Sequence, residues 1–224
     1  MTATDLQRQT LRLYGELVAR RESWGGQLVF TCGAGSSASG LPAAVSIAGG
    51  TTLALDPDAS AVKAVFRQGG VDFVVNSLDE ALRVLKNEIR QHRPLGVGLI
   101  AEVGPVLAEM AERGVLPDLC VLINEGAEPT WPIPARMGQL RLAIQDGIVV
   151  PTPELTAWLA ARGWMESVIT STSEHSLRTV DAEFLTALAP DDTVRRTWVQ
   201  RISHYQRAVP GGCRVLWTNS AEQS

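Results

Sequence analysis

The stretch Leu28-Val-Phe-Thr-Cys-Gly-Ala-Gly-Ser-Ser-Ala38 is the most telling in the chain. It reads as a short apolar strand running into Gly33-x-Gly35-x-x-Ala38. The next apolar run, Thr52-Leu-Ala-Leu55, closes on an acid, Asp56. Strand, glycine turn, second strand and terminal acid make up the layout of a dinucleotide-binding βαβ unit. The first glycine makes the tight turn, and the second lets the backbone approach a pyrophosphate. The small third residue lets helix and strand pack closely, and the acid accepts hydrogen bonds from a ribose hydroxyl. An ordinary turn built of small residues is the alternative reading of the same glycines. Pro42 fits the first turn of a helix, where its missing N–H costs nothing, so that helix is expected to start near Leu41. The loop over 33–40 is then longer than the usual fingerprint. Its own N–H groups would cradle a phosphate as much as the helix N-terminus does.

Working outward, strand and helix signals alternate. Apolar residues at helical spacing predict a helix over 10–21. Strands are expected over 28–32, 52–56, 71–75, 96–101 and 119–123. Helices are expected over 42–48, over 59–68 behind an Asp58 cap, over 78–91 behind a Ser77-Leu-Asp-Glu80 capping box, and over 103–113. This order implies a Rossmann-like α/β fold: three layers, a mostly parallel sheet and helices on both faces. Ligands of such sheets sit at the carboxyl ends of the strands. That rule gathers the 33–39 loop, Asp56, Asn76-Ser77, residues 101–104 and residues 124–128 around one crevice. After Ile123 the pattern changes. Glu128-Pro-Thr-Trp-Pro-Ile-Pro134 reads as an extended loop, Thr152-Pro153-Glu154 starts a helix, Asp191 or Asp192 opens another over 193–207, and 213–217 is a last strand. The expectation is a single domain over 1–224, with a nucleotide-binding core over 22–129 and an appendage over 130–224.

The 224 residues suffice for a real core, and a net charge of −4 opposes nucleic-acid binding. Arg195, Arg196, Arg201 and Arg207 are diluted by Asp191 and Asp192 and read as a solvated helix face. Cys32, Cys120 and Cys213 match no metal spacing, sit in apolar runs and suit a reduced, cytoplasmic setting. No apolar run reaches membrane-spanning length, and the N-terminus lacks the apolar segment of a leader.

From Gly25 to about Pro129 the sequence resembles the nucleotide-binding domain of the urocanase family. The resemblance is carried by Val29-Phe-Thr-Cys-Gly-Ala-Gly35, Pro42 with Ala44 and Ala48-Gly49, Asp79-Glu-Ala-Leu82, and Glu109-x-x-x-Arg-Gly-Val-x-Pro-Asp118. A weaker echo, Tyr205-Gln-Arg-Ala with Cys213 to Trp217 and Asn219, looks like the family's return strand. The resemblance implies a tightly bound NAD⁺ that acts as an electrophile toward the substrate imidazole rather than as a hydride carrier. Thr31, Gly33 and Gly35 match the glycine loop, and Asp56 matches the ribose acid. Other positions depart. Ser36-Ser37-Ala38-Ser39 replaces a Gly- and Met-rich run, Leu41 replaces Gln, and Ala61 falls where an arginine is expected. Glu102 replaces a cofactor-touching Asn, and Leu122-Ile-Asn-Glu125 replaces Asp-Gln-Thr-Ser. The family's catalytic second domain has no counterpart in the sequence.

The cofactor-binding candidates are therefore Thr31, Gly33, Gly35, Ser36, Ser37, Ala38, Asp56 and Glu102, with NAD as the implied cofactor and no metal. The leading expectation is a stand-alone, divergent urocanase-like domain. It would bind a nucleotide or related phosphorylated small molecule, without urocanate hydratase activity by itself. One alternative is a small NAD-dependent lyase or hydratase using Glu102, Asn124 and Glu125, a carboxylate pair able to split acid and base roles. Another is a ligand-free structural or partner-binding protein, with a homodimer or a partner protein as the expected association. Two carboxylates at the crevice would also repel a diphosphate.

Overall fold

A computed structural model describes residues 2–33, 35, 38–124, 132–171, 174–205 and 212–219. Its main sheet is built from β1 (Leu28–Cys32), β2 (Thr51–Asp56), β3 (Phe73–Val75), β4 (Leu95–Ile100), β5 (Leu119–Asn124), β6 (Gly138–Gln145) and β7 (Ile148–Val149). The strand order is β3-β4-β2-β1-β5-β6-β7, and only β7 runs antiparallel to its neighbour. The central register pairs Leu28 with Thr51 and Cys32 with Leu55 across β1 and β2, and Phe30 with Cys120 across β1 and β5. Beyond β1 the chain crosses to β2 on one side and returns as β5 on the other. The topological switch, where ligands of open α/β sheets bind, therefore lies between β1 and β5.

Helices cover both faces because successive strand residues point to opposite sides. Leu28, Phe30, Leu53, Leu55, Val97 and Leu99 form a core with α4 (Leu78–Arg90) and α5 (Val103–Glu112). Val29 and Val121 face the other way, onto α1 (Ala3–Arg20) and α2 (Leu41–Ile47), and Ala54 packs on α3 (Ala59–Arg67). Asp58 and Ser77 cap α3 and α4: each side chain accepts a first-turn N–H, from Ser60 and Glu80 respectively, and at Ser77 only this half of the expected capping box is formed. His92 takes a left-handed φ of 54° just past α4, a position usually given to glycine.

Several expectations need correction. The third strand starts at Phe73; the exposed Asp72 just ahead of it accepts the Gly96 N–H with its carboxylate at 2.9 Å. The helical spacing over 10–21 marks only the later part of α1, which starts at Ala3 behind a reciprocal capping box between Thr2 and Asp5. β6 and β7 extend the sheet where no strand was expected, joined through Asp146 (φ 52°) and Gly147 (φ 76°) in the manner of a type I′ hairpin. The last strand, β9 (Gly212–Thr218), does not join the main sheet. It pairs antiparallel with an unanticipated strand, β8 (Met165–Ser171), in a separate two-stranded sheet. A helix over Glu174–Ala187 (α7) was not expected either, whereas α6 (Pro153–Ala160) and α8 (Thr193–Tyr205) were.

The arginines of α8 are only in part a solvated face, since Arg201 is exposed while Arg196 is half-buried. Arg195 is buried and pairs with Asp192 at 2.6 Å, and Arg196 and Arg201 donate to the Leu185 and Ile47 carbonyls. Arg207 lies outside the described residues.

Helix α1 ties the two sheets together. Its Gln7 side chain donates to the Cys213 carbonyl and accepts the Val215 N–H at 2.8 Å, so it pairs with β9 as a strand would. Arg8 and Arg12 both bond the Glu166 carboxylate of β8. Glu16, fully buried, accepts the Thr152 N–H at 2.7 Å and its hydroxyl at 2.9 Å, and so holds the start of α6. Burial pushes the Glu16 carboxyl above its ordinary value, against these bonds and the Arg20 guanidinium.

A raised carboxyl pKa means that the folded state holds its proton to higher pH than the unfolded chain. This contribution to stability is complete at low pH and declines as pH rises from about 4.3 through the raised value. Glu16→Gln keeps an acceptor for the Thr152 N–H and removes the titration. Urea denaturation at pH 4 and pH 7 is expected to show the variant gaining on the wild type as pH rises. An unchanged difference would mean that the carboxyl does not titrate abnormally.

Candidate functional site

The glycine loop begins where β1 ends. Gly33 has a left-handed φ of 91°, and its N–H donates to the Leu55 carbonyl at 2.7 Å, extending the β1–β2 ladder by one step. Any side chain here would be strained, so the first glycine is required by the backbone. Thr31 is buried, and its hydroxyl donates to the Gly33 carbonyl at 3.3 Å. It shapes the turn. Gly35 differs: it is exposed, its φ is not in the left-handed range, and among the described residues a Cβ built on it meets nothing within 4 Å.

The Gly35 carbonyl accepts the Ala38 N–H at 2.9 Å, and the Ala38 carbonyl accepts the Leu41 N–H at 2.9 Å. Helix α2 accordingly starts at Leu41, with Gly40 as its N-cap and Pro42 in the first turn. Ala38 and Ser39 are buried. A Cβ on Gly40 would lie 2.7 Å from the Thr10 hydroxyl and 3.2 Å from its backbone nitrogen. The far end of the loop is thus pinned against α1. Sequence reading missed this contact; Gly40 just ahead of Leu-Pro was the only local signal. Ser36 and Ser37 lie outside the described residues.

Asp56 closes β2 opposite Ile100 of β4. One carboxylate oxygen accepts the Asp58 N–H at 2.8 Å, and the other lies 3.9 Å from where a Cβ on Gly33 would sit. The acid and the first glycine of the loop are therefore neighbours at the same end of the sheet. Glu102 stands one strand further on, after β4. It is exposed at the N-cap of α5, and its side chain makes no capping bond. Adjacent strands are about 5 Å apart, so the step from β1 to β4 across β2 is about 10 Å. Asn76 and Ser77 follow β3 on the exposed rim. Asn124 ends β5 beside Ala143, while Glu125 and Trp131 lie outside the described residues.

Cys32 reaches the loop from below, half-buried, with its sulfur 3.9 Å from that of buried Cys120. The hydrogen bond with Cys120, together with burial, pushes the Cys32 thiol well above its ordinary range, so it is no nucleophile near neutral pH. His92 and His204 lie away from the strand ends. His92 packs near Gly25 and Gly26, and His204 packs edge-on to Tyr205. Among the described residues no three His, Cys, Asp or Glu side chains could share a metal, and no helix is long and apolar enough to cross a membrane.

A family model described as the urocanase Rossmann-like domain matches residues 8–122. The match begins inside α1, ahead of Gly25, where the motif resemblance starts, and ends within β5. It takes in the helix pinned against Gly40, the glycine loop, Asp56 and Glu102, and leaves out β6 to β9. A parallel sheet with the glycine loop and acid at its strand ends, matched over more than half of the 224 residues, establishes that this chain belongs to the urocanase family through its Rossmann-like domain.

Proposed function

We propose that this chain binds an adenine nucleotide with an unphosphorylated ribose, NAD⁺ or AMP, at the carboxyl ends of β1 and β2, and that it does not hydrate urocanate by itself. The observation that carries this reading is the pairing of two glycines with one acid. Gly33 is required by its backbone, Gly35 is left open toward solvent, and Asp56 lies beside the first of them. Phosphates would lie against Gly33, Gly35 and the backbone through Ser36, Ser37 and Ala38, with Thr31 fixing the turn from beneath. Asp56 would accept hydrogen bonds from ribose hydroxyls and repel a 2′-phosphate.

The Gly33 turn, the exposed Gly35 and the Asp56 carboxylate beside Gly33 are what supports placing the adenosine and phosphate part of NAD⁺ at these strand ends. NAD⁺ bound in this family supplies an electrophilic nicotinamide. Glu102 stands where the family resemblance places an amide, and its exposed carboxylate puts negative charge near that end of the crevice. This charge would repel a diphosphate brought close to it, so the phosphates are placed at the Gly33 end, and the loss of the amide supports the absence of urocanate chemistry.

Calorimetric titration with NAD⁺, AMP and NADP⁺ tests the reading. NAD⁺ or AMP is expected to bind more tightly than NADP⁺. Asp56→Ala should weaken that binding by about 1.5–3 kcal/mol, the range for hydrogen bonds to a charged group. Its melting temperature should change little, since the carboxylate sits at a sheet end rather than in the core. The same protein with added NAD⁺ should leave urocanate absorbance unchanged. Binding of none of the three below about millimolar concentration, a free energy of about −4 kcal/mol, would turn the reading toward a fold that only binds partners.

A further inference from the structure

An open cleft of about 610 Å³ lies between the end of α1, helix α6 and the segment entering α8. This is within the roughly 300–1,000 Å³ of small-molecule sites. None of its residues belongs to the glycine loop or the strand ends, so nothing below rests on nucleotide binding.

The inner wall is an aromatic corner. Trp158 and Trp164 meet edge to face, with ring centres 5.3 Å apart and planes at 81°. The guanidinium of Arg162 lies 4.0 Å from the Trp158 ring centre and 5.7 Å from that of Trp164. Trp164 is already covered by the buried Arg195 guanidinium at 4.8 Å from its ring centre, so the face the corner offers is that of Trp158, where the exposed Arg162 lies and also donates to the Trp158 carbonyl at 3.1 Å.

The charges around the corner divide into committed and uncommitted groups. Arg20 is held by Glu16 at 3.4 Å, and Arg21 stacks over Trp24 and bonds Gln27. Asp192 is held by Arg195. The carboxylates of Glu22 and Asp191 are exposed on the rim and make no hydrogen bond or ion pair among the described residues. The uncommitted charge facing the corner is negative. Indole faces with carboxylates nearby recognise cations, and a flat guanidinium stacks on an indole better than an ammonium does.

We propose that this cleft binds a small organic cation carrying a guanidinium group, and that Arg162 occupies its aromatic corner as an intramolecular stand-in. Removing the stand-in frees the corner, so an external guanidinium should then bind more tightly.

The test is calorimetric titration of the full chain with butylguanidinium, and with butylurea as a neutral compound of nearly the same shape. Arg162→Ala is expected to bind butylguanidinium roughly tenfold more tightly than the wild type, the scale of one partly desolvated cation–π contact. Butylurea should not bind. Adding Glu22→Gln and Asp191→Asn, both at exposed positions where folding is not at stake, should weaken binding roughly threefold, the scale of exposed charge pairs. Adding Trp158→Ala should abolish it, with circular dichroism confirming the fold. Equal binding of butylurea, no gain on removing Arg162, or no loss on neutralising the two acids would each overturn the proposal.

Discussion

Trp198→Ala is expected to lower the unfolding free energy by about 3–5 kcal/mol, the range for removing a large aromatic from a core. Trp198 is only 1% exposed. Its ring stacks with Tyr14 of α1 at 5.7 Å, and its Nε1–H donates to the Val215 carbonyl of β9 at 2.9 Å. Truncation opens a cavity where α1, α8 and β9 meet and leaves that buried carbonyl unpaired, and the two costs add. Trp198→Phe retains most of the volume and loses the hydrogen bond, so a smaller loss of about 1–2 kcal/mol is expected. Urea denaturation followed by circular dichroism measures both. A single transition shifted as a whole is expected, because one cluster of buried residues includes Leu11 and Tyr14 of α1, Val121 of β5, Leu142 of β6, Trp198 and Trp217. A loss below about 1 kcal/mol would mean that the α8–β9 unit does not share the core of the main sheet.

Gly35→Val is expected to abolish nucleotide-induced stabilisation while leaving the free protein's melting temperature nearly unchanged. A ligand at a hundred times its Kd stabilises by about 2.7 kcal/mol, and all of that is at stake. Position 35 separates binding from folding because a Cβ there meets no atom of the described residues within 4 Å and no left-handed φ has to be held. Gly33 could not serve: with its φ of 91°, valine would strain the backbone and damage fold and site together. Thermal scans of both forms with and without NAD⁺ check the expectation. Equal stabilisation of the two would place the nucleotide away from the loop.

The alternation of strand and helix between residues 28 and 124 was legible because each element there carries its own period, cap or glycine stop. The glycine spacing and Asp56 were legible for the same reason: both are local patterns in one short segment. Their adjacency follows from the β1–β2 register, in which Cys32 faces Leu55 and the next residue of each strand is Gly33 or Asp56. The hairpin at Asp146-Gly147 and the alternation of Leu140, Leu142 and Ile144 were equally present in the sequence and passed unread.

What only the tertiary structure decided is where polar and small residues find partners far along the chain. Gln7 and Glu16 are ordinary polar residues of a helix by sequence, yet both are buried, one against the edge of β9 and the other under the start of α6. Gly40 looks like loop filler until Thr10 of α1 is seen lying against it. The last strand reads alike whether it joins the main sheet or pairs with β8, because strand periodicity records which residues are buried and not which strand lies alongside. Local sequence determined the elements of the Rossmann-like domain and its layout of glycine loop and terminal acid; α1, packed between the two sheets, decided how they were joined.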